Sequence, residues 1–98
     1  MDETFTFQGI DFVWDQNKAA ENNRIHKISF ERACEAFFDP FLRLTDASRN
    51  FEERDGLLGM DTTSRLLFVV HIDQEEERIR IISARKATTG ERTYYENV

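Results

Sequence analysis

Apolar and polar positions alternate near the start of the chain, which predicts extended backbone there. Residues 5–15, FTFQGIDFVWD, place every second side chain on an apolar face on either side of Gly9. The pattern therefore predicts a short hairpin or a kinked strand.

Two helices are predicted next, and each has a side chain that can cap its first turn. Asp15 can accept from the free N–H groups at the start of QNKAAENNRI, residues 16–25, whose mostly polar sides indicate a surface helix. Ser29 can do the same for FERACEAFF, residues 30–38, where positions i, i+3, i+4 and i+7 form one apolar stripe. The Asp-Pro pair at 39–40 should end this helix, because the residue before proline disfavours helical backbone.

The second half of the chain predicts a sheet. Residues 40–46, PFLRLTD, alternate weakly, and residues 52–61, EERDGLLGMD, contain an apolar strand whose glycines indicate a bulge or turn. Residues 65–72, RLLFVVHI, are β-branched, aromatic and apolar on both faces, which is typical of a central strand. Residues 78–85, RIRIISAR, return after the polar segment DQEEE, so these two strands should form an antiparallel hairpin.

A short helix is predicted at the end of the chain. Thr88 and Glu91 fit a capping box, in which each side chain bonds the other residue's backbone N–H, and it opens TGERTYYEN, residues 89–97. The resulting order favours an α+β fold, a small antiparallel β-sheet with the helices packed on one face. Ninety-eight residues, 40% of them hydrophobic, suffice for a single domain over residues 1–98.

Charge is distributed unevenly along the chain. The formal net charge is −6, but residues 78–92 contain five cations and a single acid, Glu91, a local balance of +4. The other eighty-three residues therefore carry −10. This balance argues against broad electrostatic binding to nucleic acid, so any polyanion must meet a local basic site.

The sequence gives no indication of export or of a membrane. Cys34 is the only cysteine, which rules out an internal disulfide and fits a cytosolic compartment. The first residues, MDETFTFQG, lack the basic and apolar regions of a signal peptide. The longest apolar run, LLFVV, is too short to span a bilayer, so we expect a cytoplasmic protein without membrane contact.

Metal and nucleotide chemistry have no support in the sequence. His26 and His71 are the only histidines, and neither has the spacing of a zinc site; His71, in a central strand, fits a structural role better. The chain has no glycine-rich phosphate loop, and Ser29, Ser64 and Ser83 have no nucleophile context. We therefore predict neither a metal site nor a cofactor.

Arginine is the candidate for phosphate chemistry, because its planar fork matches phosphate geometry and stays charged. Arg78 and Arg80 share one face of a strand, and Arg85 lies beyond that strand's regular alternation. Arg54 precedes one strand and Arg65 begins the central one. A sheet can bring such residues together, although they can equally offset the acidic turn and protect an edge strand.

His26 and Tyr95 are candidates for proton transfer. A histidine can donate or accept a proton near neutral pH, but His26 is equally suited to the C-terminal end of the first helix, where a cation favours the helix dipole. Tyr95 can supply a hydroxyl or pack against the fold. The residues alone leave both alternatives open.

Three motifs, in order, resemble the BrnT toxin family. Residues 14–40, WDQNKAAENNRIHKISFERACEAFFDP, are similar to that family's opening, W-D-x-x-K-A-x-x-N followed by a basic residue, H-G-V-S-F-E-x-A and D-P. The middle and end match at Glu53-Arg54, Leu58-Gly59, R-L-L-x-V-V at 65–70, and R-I-R-I-I-S-A-R-x-A-T-x-x-E-R-x-x-Y-E at 78–96. The resemblance spans about residues 12 to 96.

This resemblance implies a small bacterial toxin of a type II toxin–antitoxin module. The fold of the family is similar to that of RelE-type ribonucleases, and its members cleave RNA without a metal ion. The implied partner is a BrnA-like antitoxin with a ribbon-helix-helix DNA-binding region. The complex represses its own operon, so operator DNA is contacted only through the antitoxin.

Our hypothesis for the reaction is cleavage of RNA by its own 2′-hydroxyl, which gives a cyclic phosphate and a 5′-hydroxyl. It needs a base near the 2′-hydroxyl, cations for the phosphorane charge and an acid for the leaving oxygen. The predicted phosphate clamp consists of Arg54, Arg80 and Arg85. The other predicted substrate contacts are Lys18, Arg65 and Lys86. We predict His26 as base or acid and Tyr95 as donor or positioning group.

Four positions depart from the family pattern. Ile25 and Lys27 stand where the family has a basic residue and a glycine, and Thr89 and Gly90 stand where it has two basic residues. These changes remove positive charge near the expected site. They favour an alternative in which a weak or inactive protein acts with its antitoxin in transcriptional autoregulation, its arginines contacting antitoxin acids.

Overall fold

The computed structural model describes residues 1–48 and 50–97, and these form six strands and three α-helices around one sheet. The elements are, in chain order, β1 (Asp2–Phe7), β2 (Ile10–Asp15), α1 (Gln16–His26), α2 (Phe30–Glu35), β3 (Arg43–Asp46), β4 (Asp55–Met60), β5 (Leu66–Gln74), β6 (Arg78–Lys86) and α3 (Thr89–Glu96). A 3₁₀ turn follows α2 at Ala36–Phe38, and an irregular turn at Glu75–Glu77, where Glu76 has left-handed backbone, joins β5 to β6.

The sheet is mixed, with strand order β1-β2-β6-β5-β4-β3. Neighbouring strands are antiparallel except β2 and β6, which run parallel with residues 11–13 opposite residues 78–80. The predicted α+β fold is confirmed, but the prediction of an antiparallel sheet is wrong at this one pairing. After β2 the chain passes through two helices and three strands before β6 returns beside it, and such long crossovers can join parallel strands.

Alternate residues of the strands face α1 and α2 and form the main core. Phe12 and Trp14 of β2, Val69 of β5 and Ile81 of β6 are all buried in it. Phe30, the first residue of α2, packs edge-on against Trp14 with the ring centroids 5.7 Å apart. The apolar stripe predicted for the second helix is therefore its core-facing side.

Helix α3 lies against the opposite face of the sheet, which we call the α3 face. Leu57 and Val69 belong to the main core, whereas their strand neighbours Leu58 and Phe68 line a cavity together with Tyr94 of α3. The expectation that all helices pack on one face is therefore wrong for α3.

Bonds to distant residues hold α3 in this position. The Tyr95 hydroxyl donates to Oδ2 of Asp39, in the turn that follows α2. Arg43 of β3 donates from Nη1 to the carbonyl oxygens of Tyr94 at 3.1 Å and Asn97 at 2.9 Å, and its Cζ lies 4.1 Å from the centroid of the Tyr94 ring. No local pattern in the helix sequence indicates these partners.

Buried Asn22 of α1 replaces a missing strand at the edge of β6. The parallel pairing with β2 reaches only as far as Arg80, and farther along β6 the amide of Asn22 takes over. Its Nδ2 donates to the carbonyl oxygens of Ala84 at 2.8 Å and Ile28 at 3.0 Å, and Ala84 N–H donates back to Oδ1 at 3.0 Å. Asn22 therefore fixes the part of β6 that carries Arg85.

The predicted starts of the helices are confirmed. Asp15 and Ser29 each accept from the backbone N–H three residues later, and Thr88 and Glu91 form the reciprocal capping box of α3. The predicted N-terminal hairpin is also confirmed, with Gly9 in the left-handed region at φ 81°.

Candidate active site

Two of the three arginines predicted as a phosphate clamp meet on the α3 face. Arg54, just before β4, and Arg85, near the end of β6, line one cavity of about 400 Å³, which we call the arginine cavity. The other lining residues come from three strands and one loop: Asp46 at the end of β3, Ala47 and Ser48 directly after it, Phe68 and Val70 of β5, and Ser83 of β6. Strand alternation explains this grouping, because Ser83 and Arg85 are two residues apart and point to the same face.

The Arg85 guanidinium is fixed on several sides. Its Cζ lies 4.6 Å from the centroid of the Phe68 ring. Nη1 and Nη2 donate to the two carboxylate oxygens of Glu91 at 2.8 and 3.0 Å, and Nη1 also donates to the Lys86 carbonyl at 3.2 Å. These bonds to Glu91 raise the pKa of the Arg85 guanidinium and lower the pKa of the Glu91 carboxyl. Arg85 is therefore a permanent, oriented cation.

Arg54 is held by the loop that follows β3. Its backbone N–H donates to Oγ of Ser48 at 3.2 Å, and its carbonyl accepts from the N–H of Ala47 at 3.0 Å. The guanidinium donates from Nη2 to Glu52 at 2.6 Å. Its Nε–H is buried and has no acceptor among the described residues.

An acidic cavity of about 570 Å³ borders the arginine cavity. The two cavities share Asp46, Ser48 and Arg54, and the second one is lined by three further carboxylates, Glu53, Asp55 and Asp73. A phosphate in the acidic cavity would be repelled by these charges. The charges therefore favour an anion on the Arg85 side of the arginine cavity over one in the acidic cavity.

Two further predicted arginines lie elsewhere and are bonded to other acids. Arg80 donates to both carboxylate oxygens of Asp2 on β1, at 3.3 and 2.6 Å. Arg65 lies in the turn between β4 and β5, where its Nε donates at 2.8 Å to the buried carboxylate of Asp61. Neither residue is among those that line the arginine cavity in the described part of the chain.

His26 and Lys18 lie on α1, away from the arginine cavity. Both line a separate cavity with Ile82 of β6. This cavity, which we call the α1 cavity, shares no lining residue with the arginine cavity in the described part of the chain. Lys86 is an exposed residue at the end of β6.

Tyr95 is engaged in holding the fold together. Its hydroxyl donates to Asp39, which also accepts from the N–H groups of Met60 and Phe41 at 2.8 Å each. Burial, together with the Asp39 carboxylate, raises the pKa of Tyr95 to about 12. Burial alone would raise the pKa of Asp39, but these hydrogen bonds outweigh it and lower that pKa. The Tyr95 hydroxyl is therefore a protonated donor at neutral pH.

The family match agrees with the motifs in the sequence. A family model described as the ribonuclease toxin BrnT of a type II toxin-antitoxin system matches residues 14–91. The chain belongs to the BrnT family. No curated protein matches it. BrnT toxins are ribonucleases of type II modules, which implies RNA as the substrate and a protein antitoxin as the partner.

The expected membership in the BrnT family is thereby confirmed, whereas the likeness to RelE-type ribonucleases stays a prediction.

Within residues 1–48 and 50–97, no three His, Cys, Asp or Glu side chains are grouped so that they could hold a metal ion. No α-helix in the same ranges is both long and apolar enough to cross a membrane.

At one of the four departures, the structure shows why the BrnT family has a glycine. Lys27, which stands in place of the family's glycine, ends α1 in the left-handed conformation with φ 60° and ψ 32°. Glycine adopts this conformation at little cost, so the position serves the end of the helix. Ile25 is exposed, and Gly90 borders the cavity formed by Phe68 and Tyr94.

Several residues of the arginine cavity were missed by the sequence prediction. Asp46, Ser48 and Phe68 carried no motif that marked them, although Ser83 shares its strand alternation with Arg85. Glu91 was found through its capping box, but nothing in that motif indicated its second role as partner of Arg85.

Proposed function

We propose that this BrnT chain is an endoribonuclease that cleaves RNA by attack of a 2′-hydroxyl on the adjacent phosphodiester, without a metal ion. The observation that carries the proposal is the cavity that Arg54 and Arg85 share on the α3 face. Both guanidinium groups keep N–H donors for which the described residues provide no acceptor. A phosphodiester can therefore accept charge-assisted hydrogen bonds from both.

The reaction forms a bond between O2′ and phosphorus and breaks the bond between phosphorus and O5′. The proton of the 2′-hydroxyl passes to a base, and the leaving O5′ receives a proton from an acid. Negative charge grows on the phosphorane oxygens, where preorganised cations stabilise it, and removal of one such donor typically costs about 10² to 10³ in rate. We assign this stabilisation to Arg54 and Arg85.

The proposed base is Asp46, a carboxylate that lines the arginine cavity. Hydrogen bonds from Ser48 lower the pKa of Asp46, so this carboxylate is ionised at neutral pH but is a weak base. The rate therefore depends mainly on the two arginines. His26 was predicted as base or acid, but it lines the α1 cavity. It can take that role only if it reaches the phosphodiester that Arg54 and Arg85 hold.

The other predicted residues receive supporting roles in the proposal. Tyr95 positions α3, and with it the start of the helix beside Arg85. The cations outside the arginine cavity are proposed to contact RNA farther from the cleaved bond; these are Lys18, Arg65, Arg80 and Lys86.

The decisive experiment uses purified protein and a defined single-stranded RNA with excess chelator. The wild type should produce fragments with a cyclic phosphate and a 5′-hydroxyl. Arg85→Ala should lose activity by about 10² to 10³ and abolish growth arrest on expression. Arg92→Ala, a change in an exposed ion pair on α3, is the matched control and should remain active. An Arg85→Ala protein that is folded and as active as the wild type would reject the assignment.

We propose a BrnA-like ribbon-helix-helix antitoxin as the partner in the cytoplasm, with operator DNA reached only through it. The net charge of −6 and the acidic cavity suit a basic antitoxin surface. Affinity for that antitoxin should therefore fall as salt is added, and an affinity that hardly changes with salt would count against this partner.

A second candidate function is a binding module that has lost turnover and acts with its antitoxin in autoregulation. The ion pairs favour it, because Arg54, Arg80 and Arg85 are each bonded to an acid of their own chain. On this alternative the purified wild type binds the antitoxin but leaves RNA uncut, which the chelator assay distinguishes directly.

A further inference from the structure

We propose that Glu91 is a positioning residue for Arg85. It fixes the guanidinium so that one edge, formed by Nε–H and the adjacent Nη2–H, stays available for phosphodiester oxygens. This inference rests on the proposed ribonuclease function. It assigns Glu91 a part in the reaction beyond its place in the capping box of α3.

The donors of Arg85 can be counted one by one. A guanidinium has five N–H groups. Glu91 accepts one from Nη1 and one from Nη2, and the Lys86 carbonyl accepts the second from Nη1. Nε–H and the second Nη2–H remain, and none of residues 1–48 and 50–97 provides an acceptor for them within hydrogen-bond geometry. These two groups lie on the same edge of the plane and form the parallel fork that suits a phosphate.

An aromatic ring packs against one face of the Arg85 guanidinium and fixes the orientation of its plane. Phe68 supports Arg85 at 4.6 Å from the ring centroid. The ring has room to lie there because residue 56 is glycine; a Cβ at Gly56 would come within 2.8 Å of Cε1 of Phe68. Glu91 then sets the rotation of the guanidinium within its plane, which a ring alone cannot do.

Glu91 links the cation to the start of α3. Its Oε1 accepts from Arg85 and also from the N–H of Thr88 at 2.8 Å, while its own N–H donates to Oγ1 of Thr88 at 3.1 Å. The two roles can be separated by substitution. Thr88→Ala removes the capping hydroxyl but leaves the bonds between Glu91 and Arg85 intact.

Neutralising Glu91 should affect binding and turnover in opposite ways. Glu91→Gln removes a negative charge beside the phosphate, so KM should stay the same or fall. It also replaces a two-oxygen acceptor by a single oxygen, so the Arg85 fork loses its direction and kcat should fall about 10- to 100-fold. If Glu91 merely competed with the substrate for Arg85, the same change would raise kcat/KM instead.

The test is a double-mutant cycle on the defined RNA with wild type, Glu91→Gln, Arg85→Ala and the double variant, with Thr88→Ala as control. We expect kcat to fall in Glu91→Gln but to change less than about twofold in Thr88→Ala. In the Arg85→Ala background, Glu91→Gln should have no further effect, because contacting residues that act together are not additive. Additive losses, or equal losses in Glu91→Gln and Thr88→Ala, would overturn the positioning role.

A readout without RNA separates failure of this inference from failure of the proposed function. The Arg85 Nε–H should give a rigid heteronuclear relaxation signal in the wild type and in Thr88→Ala, and a mobile one in Glu91→Gln. Equal rigidity in all three proteins would refute the positioning role. An inactive wild type with the expected relaxation pattern would refute only the proposed ribonuclease reaction.

Discussion

Replacement of Asn22 by alanine should destabilise the protein strongly, although Asn22 is a polar residue on a largely polar helix. The change removes three hydrogen bonds and leaves the N–H and carbonyl of Ala84 and the carbonyl of Ile28 without their partner. A hydrogen bond contributes about 1 kcal/mol net, and an unsatisfied buried group costs about 1 to 3 kcal/mol. We therefore expect Asn22→Ala to lower the free energy of unfolding by about 3 to 5 kcal/mol.

The assay is urea unfolding, with Asn23→Ala as the matched control on the same helix. Asn23 is exposed, and alanine has the higher helix propensity, so the control should be neutral or stabilised by up to about 0.7 kcal/mol. With a slope of about 1.5 kcal/mol per molar urea, the midpoint of Asn22→Ala should fall by about 2 M or more. Midpoints that differ by less than about 0.5 M between the two variants would refute the claim that Asn22 replaces a strand.

Four further substitutions test other contacts by the same urea unfolding. Tyr95→Phe should lower the free energy of unfolding by about 1.5 to 3 kcal/mol, the range for a hydrogen bond to a charged group, because Asp39 loses its phenol donor; an unchanged midpoint would show that this bond does not anchor α3. Lys27→Gly should stabilise the protein by up to about 1 kcal/mol, since glycine tolerates the left-handed end of α1, and a loss of stability would contradict this explanation of the family's glycine. Gly59→Ala should be strongly destabilising, because the new Cβ would lie 2.3 Å from the backbone oxygen of Ala36 in the 3₁₀ turn. Its control is Gly90→Ala, where the new Cβ meets no atom within 4 Å, so this variant should be neutral or stabilised. Equal effects of the two substitutions would contradict the packing described.

The elements of the fold could be predicted where their signals are local. The caps Asp15, Ser29 and Thr88 and the Asp-Pro pair at 39–40 act within a few residues, and the structure confirms all of them. The parallel pairing of β2 and β6 could not be predicted in this way. The sequence of neither strand indicates which strand it pairs with or in which direction, since a strand offers the same backbone groups to a parallel or an antiparallel neighbour.

The site was only partly predictable, because the partner of each arginine decides its role. Asp61 and Arg65 are four residues apart, so that ion pair could have been recognised in advance. Asp2 reaches Arg80 across 78 positions of sequence, and only the paired strands bring them together. The number and type of cations were therefore visible in the sequence, while their grouping depended on the sheet.

The central claim is that the guanidinium groups of Arg54 and Arg85 together hold one phosphodiester. The most direct measurement follows the Nε–H resonances of the arginines while a 2′-O-methyl oligoribonucleotide, which lacks the attacking hydroxyl, is added. The account predicts saturable shifts at Arg54 and Arg85 with a common dissociation constant, and little change at the exposed Arg24 and Arg92. Shifts that are equal at all four arginines, or absent at Arg54 and Arg85, would contradict it.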